Sequence, residues 1–119
     1  MTVSFQENFL VIDGQSKQFP WAILDAIELT DKVIVLFDPD SYLVDPNYKV
    51  MRLKGAPSYR NLIAFTKGGV KLWEAEFPRA SDYYHRITSA VPLIVYSFSS
   101  YKCEIDPISG TIKSKEFYK

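Results

Sequence analysis

Histidine occurs once, at His85, inside the run Asp82-Tyr83-Tyr84-His85-Arg86. Imidazole changes charge near neutral pH, which makes His85 the natural general base of this chain. Its candidate nucleophiles are Ser81 and the single cysteine, Cys103. Ser81 has no nucleophile-elbow context. Cys103 alternates with Tyr101 and Ile105 on the apolar side of its run, where a free cysteine acts as a small hydrophobe. One His and one Cys fall short of the ligand set of a zinc site. The expectation is a non-enzyme with no cofactor and no metal.

Carboxylates offer two further constellations. Asp38-Pro39-Asp40 with Asp45 has the acidic density of a calcium loop. In the EF-hand register, however, Leu43 falls where glycine is needed and Lys49 where the bidentate glutamate belongs. Asp-Pro also starts ordinary turns. Glu74 and Glu76 share one strand face, whereas a glycosidase pair must flank its substrate. They read as a solvated face. Lys67-Gly68-Gly69 lacks the glycine-rich frame of a phosphate loop.

What remains is a binding surface. Trp21, Trp73, Tyr83, Tyr84, Tyr96 and Tyr101 are numerous enough to line a carbohydrate or peptide groove, with core and edge packing as the plainer role. The candidate binding residues are Asp38, Asp40, Tyr42, Tyr48 and Tyr59 from one long loop, with Tyr83 and Tyr84 beside the histidine.

Composition narrows the partners. The chain has 119 residues, enough for one domain over residues 1–119 with its own core. Its 14 basic residues cancel 14 acidic ones, which gives no electrostatic pull toward nucleic acid or an anionic membrane. The basic residues near the C-terminus (Lys113, Lys115, Lys119) are interrupted by Glu116 and read as solvated. Met1 to Glu7 has neither the basic start nor the apolar stretch of a signal peptide. No apolar run has the length of a membrane-spanning helix. A lone cysteine fits a reducing compartment, so the sequence reads as cytoplasmic.

The elements that must position these residues are strands. Val33-Ile34-Val35-Leu36-Phe37 is wholly apolar and reads as a strand buried on both faces; Leu93-Ile94-Val95-Tyr96 is a second such run. Ile27, Val33, Ile34 and Val35 recur at one constant offset as Ile87, Leu93, Ile94 and Val95. Trp73, Ala75 and Phe77 share a face, as do Tyr101, Cys103 and Ile105. Strands are expected over 33–37, 62–66, 70–76, 93–98, 101–106 and 111–117. Lys113 and Lys115 would guard an edge in the last of these. Residues 38–59 hold Gly55 and three prolines and read mostly as a long loop, with a short strand near 48–53. Ser81 as N-cap and Asp82 in a first turn predict one helical turn over 81–86.

A hairpin unit recurs. Asn8-Phe9-Leu10-Val11-Ile12-Asp13-Gly14 is echoed by Asn61-Leu62-Ile63-Ala64-Phe65-Thr66-Lys67-Gly68-Gly69. It is echoed again by Tyr101-Lys102-Cys103-Glu104-Ile105-Asp106 with Ser109-Gly110 behind it. Asn61-Leu62-Ile63-Ala64-Phe65 through Leu72-Trp73, and Tyr101 through Ile112, resemble blade repeats of quinoprotein (PQQ-type) and WD β-propellers. That resemblance covers about half the chain. It implies about two blade-like units, fewer than a closed propeller needs. The layout also resembles small bacterial proteins, toxin-neutralising ones among them. The fold expected is all-β and mainly antiparallel, with seven to nine strands. The blade-like units would form an open sheet or flattened sandwich, with at most one short helix. The function expected is binding of a protein partner, in its sharpest form a toxin, with a small-ligand or carbohydrate module and an enzyme of unrecognised site as competing classes. Open strand edges also point to a homodimer.

Overall fold

A computed structural model describes residues 3–19, 21–38, 60–79 and 82–118. Among them are eleven strands and no helix, arranged as three antiparallel meanders. The first contains β1 (Val3–Gln6), β2 (Phe9–Ile12) and β3 (Gln15–Gln18). The second contains β4 (Ile23–Glu28), β5 (Val33–Phe37), β6 (Leu62–Phe65) and β7 (Lys71–Glu74). The third contains β8 (Tyr84–Ser89), β9 (Leu93–Ser97), β10 (Tyr101–Ile105) and β11 (Ile112–Phe117). The all-β, antiparallel architecture agrees with the sequence. The strand count exceeds the expected seven to nine, and the sheets number three. β1 and β3 account for part of the excess. They are short and mostly exposed, so they carry little of the apolar signal that marks a strand.

The second sheet is the middle layer. All five residues of β5 and all four of β6 are buried. Val33, Val35, Phe37, Ile63 and Phe65 pack with Leu10, Ile12 and Phe19 of the first meander. Ile34, Leu36, Leu62 and Ala64 turn the other way, toward Trp73, Leu93, Val95, Cys103 and Ile105. A strand covered on both faces has no polar side, which is why these runs do not alternate. β9 departs from the expectation of burial on both faces. Leu93, Val95 and Ser97 are buried, but Ile94 and Tyr96 lie half-buried on the outer face of the third sheet.

The repeat maps onto the sheets. Its three copies are the closing hairpins β2–β3, β6–β7 and β10–β11. Their turn glycines, Gly14, Gly69 and Gly110, have φ of +85°, +90° and +78°. The constant-offset matches are the opening hairpins, β4–β5 and β8–β9. β11 is an edge strand and carries Lys113 and Lys115, as expected.

The helical turn over 81–86 is not formed in its described part. β8 starts at Tyr84. Asp82 spends its Oδ1 on the backbone N–H groups of Tyr83 (2.8 Å) and Ser99 (3.1 Å), and so pins the β9–β10 turn. The residue types that cap a helix also cap turns, and pairing with β9 decided between them. The short strand expected near 48–53 lies outside the described residues. No helix is long and apolar enough to cross a membrane among the described residues.

Candidate functional site

Of the candidate binding residues, Asp40, Tyr42, Tyr48 and Tyr59 lie outside the described residues. Asp38 follows β5, half-buried, with its N–H donated to the Ala22 carbonyl at 2.8 Å. Tyr83 is half-buried and stacks on Phe98, ring centroids 5.0 Å apart. Tyr84 is the correction: it is fully buried. Its hydroxyl donates to the Glu76 carbonyl, and its ring meets Phe77 edge-on at 5.5 Å. Tyr84 is the first residue of β8 and faces the middle sheet, so it holds two layers together and touches no solvent.

Ser81 lies outside the described residues, and Cys103 and His85 are not brought together. Cys103 is buried on the inner face of β10, beside the Tyr84 hydroxyl. Burial raises the thiol above its usual value, opposed by a hydrogen bond with Tyr84. Burial likewise raises Tyr84, well beyond the ordinary phenol range. Neither group is poised as a nucleophile at neutral pH. His85 sits exposed on β8, with Nε2 3.5 Å from the Tyr118 hydroxyl. Glu74 pairs with Lys71 at 2.8 Å, while Glu76 accepts the Ile112 N–H at 3.0 Å. These two carboxylates are committed separately. No group of three or more metal-ligating side chains gathers among the described residues.

A different site is built by three turns. The β4–β5 turn (Leu29 to Lys32), the β8–β9 turn (Ala90 to Pro92) and the β10–β11 turn (Pro107, Ile108) border a groove of about 530 Å³. Leu29, Leu93 and Ile105 form its apolar wall. Two of the turns are closed by backbone bonds: Leu29 N–H bonds the Lys32 carbonyl at 2.8 Å, and Gly110 N–H bonds the Asp106 carbonyl at 2.8 Å. The Pro107 carbonyl is the knot between them. It accepts the Lys32 ammonium at 2.7 Å and the Trp73 indole N–H at 3.0 Å. Lys32 is only 6% exposed. On the rim, Lys113 pairs with Glu104 at 3.3 Å, and Asp31 lies 3.6 Å from Lys32. Two aliphatic side chains stand at the tips: Val91 is 86% exposed and Ile108 is 82% exposed.

A family model described as a domain of unknown function, DUF7957, matches residues 1–117. The chain belongs to the DUF7957 family. No curated protein and no solved structure matches it. In this DUF7957 chain the match takes in all three meanders and every turn of the groove.

Sequence reasoning missed the groove because its walls come from turns far apart in the chain. One signal was present. Val91 and Ile108 are aliphatic residues inside turn segments, Val91-Pro92 and Asp106-Pro107-Ile108-Ser109-Gly110, where polar residues are the rule.

Proposed function

We propose that this chain is a non-catalytic binding module that engages a protein partner at the three-turn groove. The observation that carries the reading is the exposure of Val91 and Ile108 on turn tips beside an apolar groove. Burying one such side chain is worth roughly 1.5–3 kcal/mol, which these two forgo in the free protein. A hydrophobic centre ringed by charged residues is the anatomy of a protein interface. Asp31, Glu104 and Lys113 supply that ring. The toxin-neutralising role is the sharpest form of this reading. A cytoplasmic setting accompanies it, supported by a buried thiol without a disulfide partner. The two four-stranded meanders serve the reading as blade-like units that hold the turns at fixed spacing.

A photo-reactive side chain at position 91 or 108 tests it in the cell that makes the protein. A discrete covalent adduct is expected from either position and none from Val70, which is 65% exposed elsewhere. Indiscriminate labelling from all three positions would count against the groove. An adduct of twice the chain mass would make the occupant a second copy. If the adduct is a protein whose expression arrests growth unless this chain is co-expressed, the toxin form is supported.

The volume of the groove favours the small-ligand reading next, since ligand pockets span roughly 300–1,000 Å³.

A further inference from the structure

Resting on the groove as a protein-binding site, we infer that its occupant is the C-terminus of the partner chain, an apolar last residue with a free carboxylate.

The argument starts from Lys32. An ammonium has three N–H donors. Among the described residues, the Lys32 ammonium makes one hydrogen bond, to the Pro107 carbonyl at 2.7 Å. The Asp31 carboxylate, at 3.6 Å, is an ion-pair partner beyond hydrogen-bonding distance. A lysine 6% exposed therefore borders the groove with donors that no other described residue fills. A buried charge with open donors is costly, and an incoming acceptor relieves that cost. An anionic acceptor relieves it most, because charge-assisted bonds are the stronger ones.

The charges bordering the groove balance, Lys32 with Asp31 and Lys113 with Glu104, so an incoming anion competes with Asp31 for Lys32. Glu104 is neutralised by Lys113 at 3.3 Å. The Asp31 side chain is 75% exposed, so water screens its repulsion. The wall beside Lys32 is apolar: Leu29, Leu93 and Ile105. A ligand that satisfies both halves has a carboxylate attached directly to an apolar body. A peptide chain ending in Leu, Ile or Val meets that description, and the rest of the peptide leaves past Val91 and Ile108. This exposed exit favours a peptide over a free carboxylic acid, which would leave both tips uncovered.

The probes are N-acetyl-Gly-Leu-Leu with a free carboxylate, the same peptide as its C-terminal amide, and hexanoate. Methyl and amide NMR shifts of Leu29, Leu93, Ile105 and Val91 report binding to the intact chain. Saturable shifts are expected with the free carboxylate. The amide should bind about tenfold more weakly or worse, the equivalent of one charge-assisted bond. Lys32→Gln keeps a donor for Pro107 and removes the charge. It should lower the carboxylate peptide to the affinity of the amide, with the melting temperature as the control for a merely structural role.

Equal binding of acid and amide overturns the carboxylate, and so does the absence of shifts with either peptide. Hexanoate binding as tightly as the peptide overturns the peptide as occupant. A Lys32→Gln protein that is folded and still prefers the acid removes Lys32 from the argument. A position-91 adduct with a partner alongside a failed titration sinks this inference alone; loss of both sinks the groove.

Discussion

The side-chain amide of Asn61 takes both backbone groups of Tyr84. Tyr84 N–H donates to Asn61 Oδ1 at 3.0 Å, and Asn61 Nδ2 donates to the Tyr84 carbonyl at 2.6 Å. The second amide hydrogen goes to the Phe37 carbonyl at 3.0 Å. Asn61 is fully buried, so a side chain stands in for a strand where the third sheet leaves the second. In the first repeat copy the aligned Asn8 donates its side-chain amide to the Phe19 carbonyl at 2.7 Å, while Ile23, which opens β4, donates to the Glu7 carbonyl at 2.7 Å. Asn61→Ala strips Tyr84 of two partners and Phe37 of one. The expected cost is at least about 3 kcal/mol, since three buried groups lose a partner and each one left unsatisfied costs about 1–3 kcal/mol. Asn61→Asp keeps one acceptor, loses both donors and should fall at least as far. Urea midpoints at neutral pH check both; values within error of the parent would show the junction to be dispensable.

Gly110 lies against the indole of Trp73. A Cβ built on it would come 2.5 Å from Trp73 Cε3, at a φ of +78°. Gly14 has a similar φ, +85°, and nothing within 4 Å of its own Cβ position. Gly14→Ala should therefore show backbone strain alone, roughly 1–2 kcal/mol. Gly110→Ala adds a clash with a ring held by its bond to Pro107, and should cost clearly more. Equal losses in thermal unfolding would mean that Trp73 yields without penalty.

Alkaline pH should destabilise the protein. Tyr84 and Cys103 are both raised from ordinary values of 10.0 and 9.0, chiefly by burial. The folded state therefore holds these protons more tightly than the unfolded chain. Their contribution is complete below the unfolded values and is lost as pH rises through about 9 and beyond. Unfolding free energy measured from pH 7 to 11 should decline, and less steeply in Tyr84→Phe/Cys103→Ala. A decline as steep in the double variant would assign it to other groups.

Cys103 should resist thiol reagents in the native state. It is fully buried, and labelling requires an opening that exposes it. The labelling rate should rise in proportion to denaturant-driven opening and remain unchanged in His85→Ala. A fast native reaction slowed by that variant would restore the nucleophile–base pair.

Val91→Asp/Ile108→Asp should fold like the parent. Both side chains are more than four-fifths exposed, and surface changes typically stay within about 0.5 kcal/mol. The same variant should lose the partner adduct. A collapse of stability would show instead that the two tips pack on the structure.

The sequence by itself determined most of the strands and which of their residues face a core. Val33–Phe37 is a strand buried on both faces, and Tyr101, Cys103 and Ile105 point to the core side, because apolar patterning is local. The hairpin repeat and its glycines were equally readable, since a left-handed turn restricts residue type at the turn itself. Only the tertiary structure decided how the sheets layer. β9 looked as buried as β5, yet it lies in an outer sheet with Tyr96 half-exposed. Tyr84 looked like a surface aromatic and became the contact between layers. Ser81-Asp82 carries helix-start chemistry, but pairing with β9 made β8 a strand. The groove belongs wholly to the fold. Lys32 and Pro107 meet at 2.7 Å across 75 positions of sequence, and no local signal encodes which turns stacked sheets will bring together.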